Sequence, residues 1–407
     1  MYENLGETQL AAENVKKAYA LKDRASEQEQ LGISGAYDYE VTGNLERSIQ
    51  VLKIMQQTYP ESSSARIAAN DIGVFYYLMG RYNEAVPEFL DVIHQNPKIG
   101  LAYGNLAGCY LSLDRLDEAR ATLQRDPSGG KDIASLAIPY AIDFLQNNAA
   151  GMARDVVAAI GVPANDSTML LLEADTAAYS GRLADSLKLA QNAVTAATQA
   201  SLLETAATDE SFQAVNEGLE GDSGEAKDWA ARALKAAGGR AVQANAALGL
   251  ALAGSADEAK KIADDLNGNF PEDTFVQNGY IPEIRAVLAI HQGNAQEAID
   301  FLRAASPYEL GFQLRLTPAY LRGQAYLAAH NGAGAASEFQ KILDHPGVVV
   351  NSPVDSLAHL GLARAYALEG DKAKAQTAYQ DFLALWQHAD PDVPILKQAK
   401  AEYAKLK

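Results

Sequence analysis

The sequence of 407 residues is poor in several features that define large classes of protein. It contains one cysteine, Cys109, so neither an intramolecular disulfide nor a cysteine-based metal cluster can form. No stretch approaches the roughly 18 consecutive apolar residues that a membrane-spanning helix needs. The first ten residues lack the basic start and apolar core of a signal peptide, so we expect none.

Basic residues are also scarce. The chain has 34 Lys and Arg against 52 Asp and Glu, which gives a formal net charge of −18. Nucleic-acid binding requires clustered Lys and Arg, and no basic stripe is visible. This balance opposes direct binding to nucleic acid or to an anionic membrane surface, unless a local basic patch provides it. An acidic chain weakly favours neutral or basic partners.

A repeated unit organises the chain, and its clearest copy runs from residue 66 to residue 97. In order, it has a small residue and a tyrosine on a first helix, a turn glycine, an alanine early in a second helix, a large residue four positions later, and a closing proline. These residues are Gly73, Tyr76, Gly80, Ala85, Phe89 and Pro97. The glycine tolerates the positive φ that ends the first helix. The alanine lets the two helices approach closely, and the proline stops the second helix.

The same phase recurs along the chain at intervals of 33 to 40 residues. The turn position is occupied by Gly43, Gly80, Asp114, Asn147, Gly181, Gly221, Gly254, Gly293, His330 and Gly370. Five residues later come Ser48, Ala85, Ala119, Met152, Ser186, Ala226, Ala259, Ala298, Ala335 and Ala375, all small except Met152. Longer insertions fall at residues 270–282 and 348–353, and such loops are candidates for binding or for family-specific shape.

This pattern resembles the tetratricopeptide repeat, which implies an all-α fold: a right-handed superhelical α-solenoid of helix hairpins. We expect a truncated first repeat at residues 1–27, about ten such repeats at residues 28–388, and a loop with a C-terminal capping helix at residues 389–407. Residue 1 falls inside a repeat whose front half is missing. We therefore expect the chain to be the tail, or a fragment, of a longer protein.

The two ends carry a more specific resemblance. Several short segments near the ends are together similar to the C-terminal repeat region of bacterial eukaryotic-like serine/threonine kinases of the acidobacterial type. They are residues 2–7, 18–19, 24–27, 362–367, 370–371, 378–383, 390–392 and 394–396. That family places a kinase domain, often followed by a membrane helix, before repeats of this sort. This chain has no glycine-rich G-x-G-x-x-G loop, no H-R-D motif and no D-F-G triplet. We therefore expect it to be no enzyme and to bind no cofactor.

Other chemistry-bearing residues are interpreted as structural. The six histidines lie in different repeats, and none pairs with another at metal-ligand spacing, so we expect no metal site. Cys109 lies on a first helix and is expected to be a small buried hydrophobic residue. Trp229 and Trp386 are expected to pack within or between repeats.

The predicted binding surface is a concave groove lined by the first helix of each repeat. Its candidate residues are Ile33, Tyr37, Asn70, Val74, Tyr77, Asn105, Tyr320, Gln324 and Arg364. Asn105 fits one position of the clamp with which some tetratricopeptide domains hold acidic chaperone tails, but no Lys or Arg accompanies it. The mixed apolar and amide groove instead suits an extended or helical peptide. The alternative is that these residues only stabilise the layer of first helices.

The sequence thus predicts a non-catalytic protein-interaction scaffold, the sensing or recruiting tail of a signalling kinase. The alternatives are the effector or oligomerisation region of a transcription regulator and a free-standing adaptor. We expect a soluble, cytoplasmic protein, unless a membrane helix after a kinase domain places the repeats outside the cytoplasm. The partner and the oligomeric state stay open.

Overall fold

The computed structural model describes residues 8–127, 134–161 and 163–406, and every regular element within these ranges is helical. The first seven residues, which carry part of the kinase-tail resemblance, lie outside the described residues. The helices pack as successive antiparallel pairs, each against the next, which is the architecture of an α-solenoid.

Among the described residues up to 199, the solenoid contains eleven α-helices, which we call the first coil. Their bounds are α1 Thr8–Tyr19, α2 Glu27–Tyr37, α3 Leu45–Thr58, α4 Ser63–Leu78, α5 Tyr82–Gln95, α6 Gly100–Ser112, α7 Leu116–Gln124, α8 Ala134–Leu145, α9 Ala149–Ala159, α10 Pro163–Tyr179 and α11 Leu183–Gln199. A 3₁₀ turn covers Lys22–Arg24, and a π-helical turn, Asp38–Thr42, extends α2.

The second half, which we call the second coil, contains twelve α-helices. They are α12 Leu203–Glu220, α13 Ser223–Ala236, α14 Arg240–Leu252, α15 Ala256–Asn269, α16 Ile281–His291, α17 Ala295–Leu302, α18 Thr317–Ala328, α19 Gly332–Leu343, α20 Pro346–Val349, α21 Pro353–Leu368, α22 Lys372–Leu385 and α23 Pro394–Ala404. A π-helical turn, Val276–Tyr280, leads into α16, and a 3₁₀ turn, Arg303–Ala305, follows α17.

The turn positions predicted from the sequence are confirmed. All ten have a positive φ, including the three that are not glycine: Asp114, Asn147 and His330, at 57°, 55° and 56°. A left-handed residue at this point ends the first helix and reverses the chain into the second. Short polar side chains such as Asp and Asn tolerate this conformation better than most residues do.

The small residues five positions after each turn are buried between the paired helices. All nine Ala and Ser at this position are at most 1% exposed, whereas Met152 is only half-buried. The close approach is visible at Gly73 of α4, where an added Cβ would lie 2.8 Å from the ring of Phe89 on α5. The interhelical spacing therefore depends on small residues facing large ones.

The second coil returns to contact the first at the turn residues. Thr274 donates its backbone N–H to the carbonyl of Gly43 at 3.0 Å, and its hydroxyl accepts the N–H of Leu45 at 3.1 Å. Beside it, Asp273 is 4% exposed and pairs with Arg240 at 3.0 Å. A Cβ on Gly43 would overlap the Asp273 carboxylate.

Three further insertions of the second coil contact turns of the first in the same way. The Tyr82 hydroxyl, next to the Gly80 turn, donates to the Leu310 carbonyl at 2.5 Å. Gly347 donates its N–H to the side chain of the turn residue Asp114 at 2.8 Å. Asp390 donates its N–H to the carbonyl of Gly181 at 3.0 Å. Because these contacts join residues 209 to 233 positions apart, the solenoid forms one body instead of an extended rod.

Candidate functional site

The structure brings four of the predicted groove residues together on α4 and α6. The side-chain amide of Asn105 lies 3.5 Å from Asn70 Oδ1, so the two amides are neighbours across successive first helices. Val74 and Tyr77 follow on α4, and both are half-buried. These four residues lie on adjacent first helices, and their role in binding stays a prediction.

The other predicted groove residues are already engaged within the chain. Tyr37 stacks on Tyr19 with ring centroids 3.9 Å apart, and Ile33 lies one turn earlier on α2. At the other end, Tyr320 is 7% exposed and packs edge-on against Phe339.

Gln324 lies one turn after Tyr320 on α18 and is half-buried. Arg364 of α21 binds Glu402 of the C-terminal helix α23 at 2.9 Å. These residues do not form one continuous surface with Asn70 and Asn105. Their role in binding stays a prediction.

A cavity of about 340 Å³ lies on the inner side of the solenoid. Residues of seven successive first helices contribute to its lining, from Tyr77 of α4 to Glu283 of α16. It is completed by the insertion around residues 312–315 and by residues 347–354 of the second coil. Its volume falls in the range of ligand pockets in proteins.

Aromatic side chains form much of the apolar lining. Tyr77 stacks on Phe312 with centroids 5.7 Å apart and meets Tyr82 edge-on at 5.5 Å. Phe312 and Phe212 are nevertheless 50% and 39% exposed, which is unusual for phenylalanine on a concave surface. Because Phe312 belongs to the second coil, this part of the predicted groove faces another part of the same chain.

Two carboxylates and one guanidinium line the same cavity. Asp175 of α10 accepts a hydrogen bond from the Asn216 amide at 3.1 Å, and burial raises its pKa to about 6. Glu283 of α16 is 3% exposed, and burial raises its pKa well above the ordinary value. Arg315 donates to the carbonyl of Val349 at 3.3 Å. Among the described residues, none of these three charged groups has an ion-pair partner within 4 Å.

Two oxygen atoms of cavity-lining residues have no hydrogen-bond partner within the described parts of the chain. One is Oε1 of Glu283 and the other is Oδ1 of Asn351, whose side chain is fully buried. The Asn351 amide nitrogen donates to the Leu172 carbonyl at 2.8 Å and to Thr176 Oγ1 at 3.0 Å. These two bonds fix the orientation of the amide, so the oxygen is the atom that lacks a partner.

A second group of buried acids lies on α12 but does not line this cavity. Gln213 donates to Glu217 at 2.6 Å, and Glu217 and Glu220 are each 1% exposed. Burial raises the pKa of Glu217 to about 7 and that of Glu220 well above the ordinary value. Asp209, on the same helix, has a pKa of about 7 for the same reason. Because these carboxyls are buried only in the folded state, their pKa values differ between the folded and unfolded states. The stability of this region therefore depends on pH.

The residues interpreted as structural are found in the core. Cys109 is fully buried, and burial raises the pKa of its thiol. Trp229 and Trp386 are each 2% exposed, and Trp386 Nε1 donates to the Tyr179 carbonyl of the first coil at 3.0 Å. Within the described ranges, His, Cys, Asp and Glu nowhere form a group of three or more placed to hold a metal ion. Nor does any described helix combine the length and apolarity needed to cross a bilayer.

Comparison with known families identifies the repeat type. Residues 76–136 and residues 320–394 match family models of the tetratricopeptide repeat. The chain contains tetratricopeptide repeats. Such repeats form scaffolds for protein–protein interaction and are typically not catalytic. No curated protein sequence matches the chain.

Solved structures with tetratricopeptide-like helices cover most of the chain at low identity. A tetratricopeptide repeat protein from Parabacteroides merdae is 15% identical, covers 84% of this chain and 99% of its own, and has a TM-score of 0.32. The human IFIT1 dimer with m7Gppp-AAAA is 16% identical over 90% and 85%, with a TM-score of 0.45. Yeast Tom70 is 13% identical over 96% of both chains, with a TM-score of 0.32. All three scores lie below 0.5, so these similarities do not define the function of this chain.

Sequence reasoning did not find the cavity or its polar residues. Glu283, Asn351 and Arg315 lie in or next to insertions between tetratricopeptide repeats, where the repeat pattern assigns no position to a side chain. The available signal was the length of the insertions at 270–282 and 348–353, which marked them as unusual. It did not indicate that they turn towards the first coil.

Proposed function

We propose that this chain is a non-catalytic scaffold that holds a segment of a partner protein against the inner wall of the solenoid. The observation that carries the proposal is the inner cavity, in which Phe212 and Phe312 are exposed although they lie on a concave surface. Concave surfaces of helical repeats are where such proteins bind their partners. Exposed aromatic residues in a concave pocket are typical of interface anchors.

The predicted groove residues extend this surface. Tyr77 lines the cavity, and Asn70 and Asn105 lie beyond it on the same wall. Amide side chains at this spacing bond the backbone of an extended segment, while the cavity takes one of its side chains. In this proposal Tyr320, Gln324 and Arg364 belong to a separate part of the wall.

The test is affinity capture from the native cell extract with a matched pair of variants. Phe312→Ser removes an exposed aromatic side chain from the cavity. Leu90→Ser removes an apolar side chain of similar exposure, 43%, from α5, outside the cavity lining. We expect a partner that is captured by the wild type and by Leu90→Ser to be lost with Phe312→Ser. Capture that survives Phe312→Ser but fails with Leu90→Ser would place binding on another surface and refute the proposal.

The signalling role proposed for this scaffold rests on the resemblance to the repeat tails of bacterial serine/threonine kinases. Such a tail would recruit a substrate or sense a ligand for a kinase domain encoded before it. Sequencing the coding region upstream of residue 1 tests this directly. A kinase domain there supports the proposal, a winged helix supports the transcription-regulator alternative, and an isolated reading frame supports a free-standing adaptor.

A further inference from the structure

Two residues that line the inner cavity each have a side-chain oxygen without a hydrogen-bond partner in the described chain. Glu283 Oε1 and Asn351 Oδ1 both belong to residues that line it, and both residues are more than nine-tenths buried. A buried acceptor without a donor costs roughly 1–3 kcal/mol, so such atoms are rare in folded proteins unless a ligand serves them. Of the two residues, Asn351 is 0% exposed, so a ligand in the cavity could contact only the Glu283 carboxyl, which is 3% exposed.

The ionisable residues of the cavity lining also favour a ligand that donates hydrogen bonds and carries a positive charge. Two carboxylates, Asp175 and Glu283, face one guanidinium, that of Arg315, and Arg315 is turned to the Val349 carbonyl. Burial of Glu283 disfavours its ionised form and raises its pKa. A cation placed beside it would offset the cost of burying its charge. The remaining titratable lining groups, Tyr77, Tyr82 and Tyr280, are neutral at physiological pH.

The rest of the lining is apolar and suits the apolar part of a ligand. Phe212 and Phe312 are partly exposed, and Tyr77 stacks on Phe312 at 5.7 Å. Ring faces of this kind attract ammonium and guanidinium groups as well as apolar surface. A purely apolar ligand would leave the Glu283 carboxyl without a partner.

We infer that the cavity binds a cationic N–H donor, a primary ammonium or a guanidinium, carried on an apolar body, with the Glu283 carboxylate as its acceptor. The inference rests on the proposed function in that the cavity is part of the same inner wall. The cation is either the side chain of a bound protein segment or a free small amine. Both sources share the chemistry that the cavity recognises.

Isothermal titration calorimetry on the full chain with three probes tests this. The probes are 2-phenylethylamine, its neutral analogue 2-phenylethanol, and the capped peptide acetyl-Leu-Lys-Leu-amide. We expect one or both cationic probes to bind, and 2-phenylethanol to bind at least tenfold more weakly than 2-phenylethylamine. Binding by the peptide alone identifies a protein side chain as the source, and binding by the amine alone identifies a small molecule. Failure of both cationic probes overturns the inference, as does equal binding of the alcohol and the amine.

Two variants test whether the cationic probes bind in the cavity. Glu283→Gln keeps the shape of the side chain and removes its charge, and we expect at least a tenfold loss of cation affinity. Glu272→Gln, at a carboxylate 51% exposed outside the cavity, is the matched control and should bind as the wild type does. Circular dichroism verifies that both variants fold.

If Glu283→Gln does not fold, Ala137→Phe serves in its place. Ala137 is a half-buried lining residue, so a phenyl ring there fills the cavity without a change in charge. Unchanged cation binding by either cavity variant overturns the inference. If neither cationic probe binds but Phe312→Ser still abolishes partner capture, the inference that the cavity binds a cation is refuted. The proposal that the inner wall binds a partner protein is then retained. Specific cation binding with partner capture unaffected by Phe312→Ser would instead refute the scaffold surface.

Discussion

Replacement of Asp209 by asparagine is expected to make the stability of the solenoid less dependent on pH between pH 5 and pH 8. Asp209 lies on α12, is 7% exposed, and accepts a hydrogen bond from the Ser167 hydroxyl of α10 at 3.0 Å. Burial, reinforced by the neighbouring carboxyls of Asp175 and Glu210, raises its pKa from 3.8 to about 7. Asparagine keeps an oxygen acceptor for Ser167 and cannot ionise.

Proton linkage gives the sign and the size of the change in the free energy of unfolding with pH. Since the folded state holds the proton more tightly than the unfolded state, stability falls as pH rises from about 3.8 to about 7 and then levels off. One such carboxyl costs about 1.4 kcal/mol per pH unit within this window. Between pH 5 and pH 8 Asp209 therefore contributes a loss of about 2.5 kcal/mol, which the variant should not show.

The assay is urea unfolding followed by circular dichroism at several pH values. Hydrogen-exchange mass spectrometry on peptides from α10 and α12 reports the local free energy, since long repeat arrays can unfold in stages. Asp228→Asn, on the exposed side of α13, controls for the change in net charge. Buried carboxyls that do not interact with Asp209 act with the same sign in both proteins and cancel in the difference. A stability difference between Asp209→Asn and the wild type that stays constant from pH 5 to pH 8 would refute the reasoning.

Three further perturbations probe the packing. Gly43→Ala should destabilise the protein and increase its radius of gyration by small-angle X-ray scattering, because φ is 71° and the Cβ would overlap a carboxylate of the second coil. Arg322→Ala should cost about 3 kcal/mol in urea unfolding, since the largely buried carboxylates of Glu309 and Glu338 would then share a single cation, that of Lys341. Cys109 should not react with a thiol reagent in the native state and should release one equivalent in urea, because it is fully buried.

Matched controls accompany these changes. Gly254→Ala imposes the same left-handed strain, about 1–2 kcal/mol, but its Cβ would meet nothing within 4 Å, so the radius of gyration should not change. Arg303→Ala removes an arginine that is 69% exposed and should cost less than about 1 kcal/mol. If Gly43→Ala and Gly254→Ala behave alike, the contact at Gly43 does not hold the coils together. Rapid native-state labelling of Cys109 would contradict its burial.

The repeat pattern correctly predicted the conformation and burial of residues whose contacts lie within one helix pair. Asp114, Asn147 and His330 were assigned to turns by spacing alone, and each adopts a positive φ. Met152 was the one large residue among the small positions, and it is the one that is not fully buried. Such positions are defined by contacts within one helix pair, which a sequence period of about 34 residues encodes directly.

The candidate site was only partly predictable. The spacing placed Asn70, Tyr77 and Asn105 on one wall, because first helices of adjacent repeats lie side by side. It did not predict that Phe312 would cover Tyr77 or that Arg364 would bind Glu402. Both contacts come from outside the periodic positions, so no repeat-based register could include them.

The sequence by itself determined the helical hairpins, their turns and the small residues that set their spacing. Only the tertiary structure decided that Asp273, Leu310, Gly347 and Asp390 contact turns of the first coil, and that Glu283 and Asn351 line one cavity. The reason is geometric. Each repeat adds a small rotation, and the contacts between coils depend on the sum of these rotations over some 200 residues, which no local pattern contains.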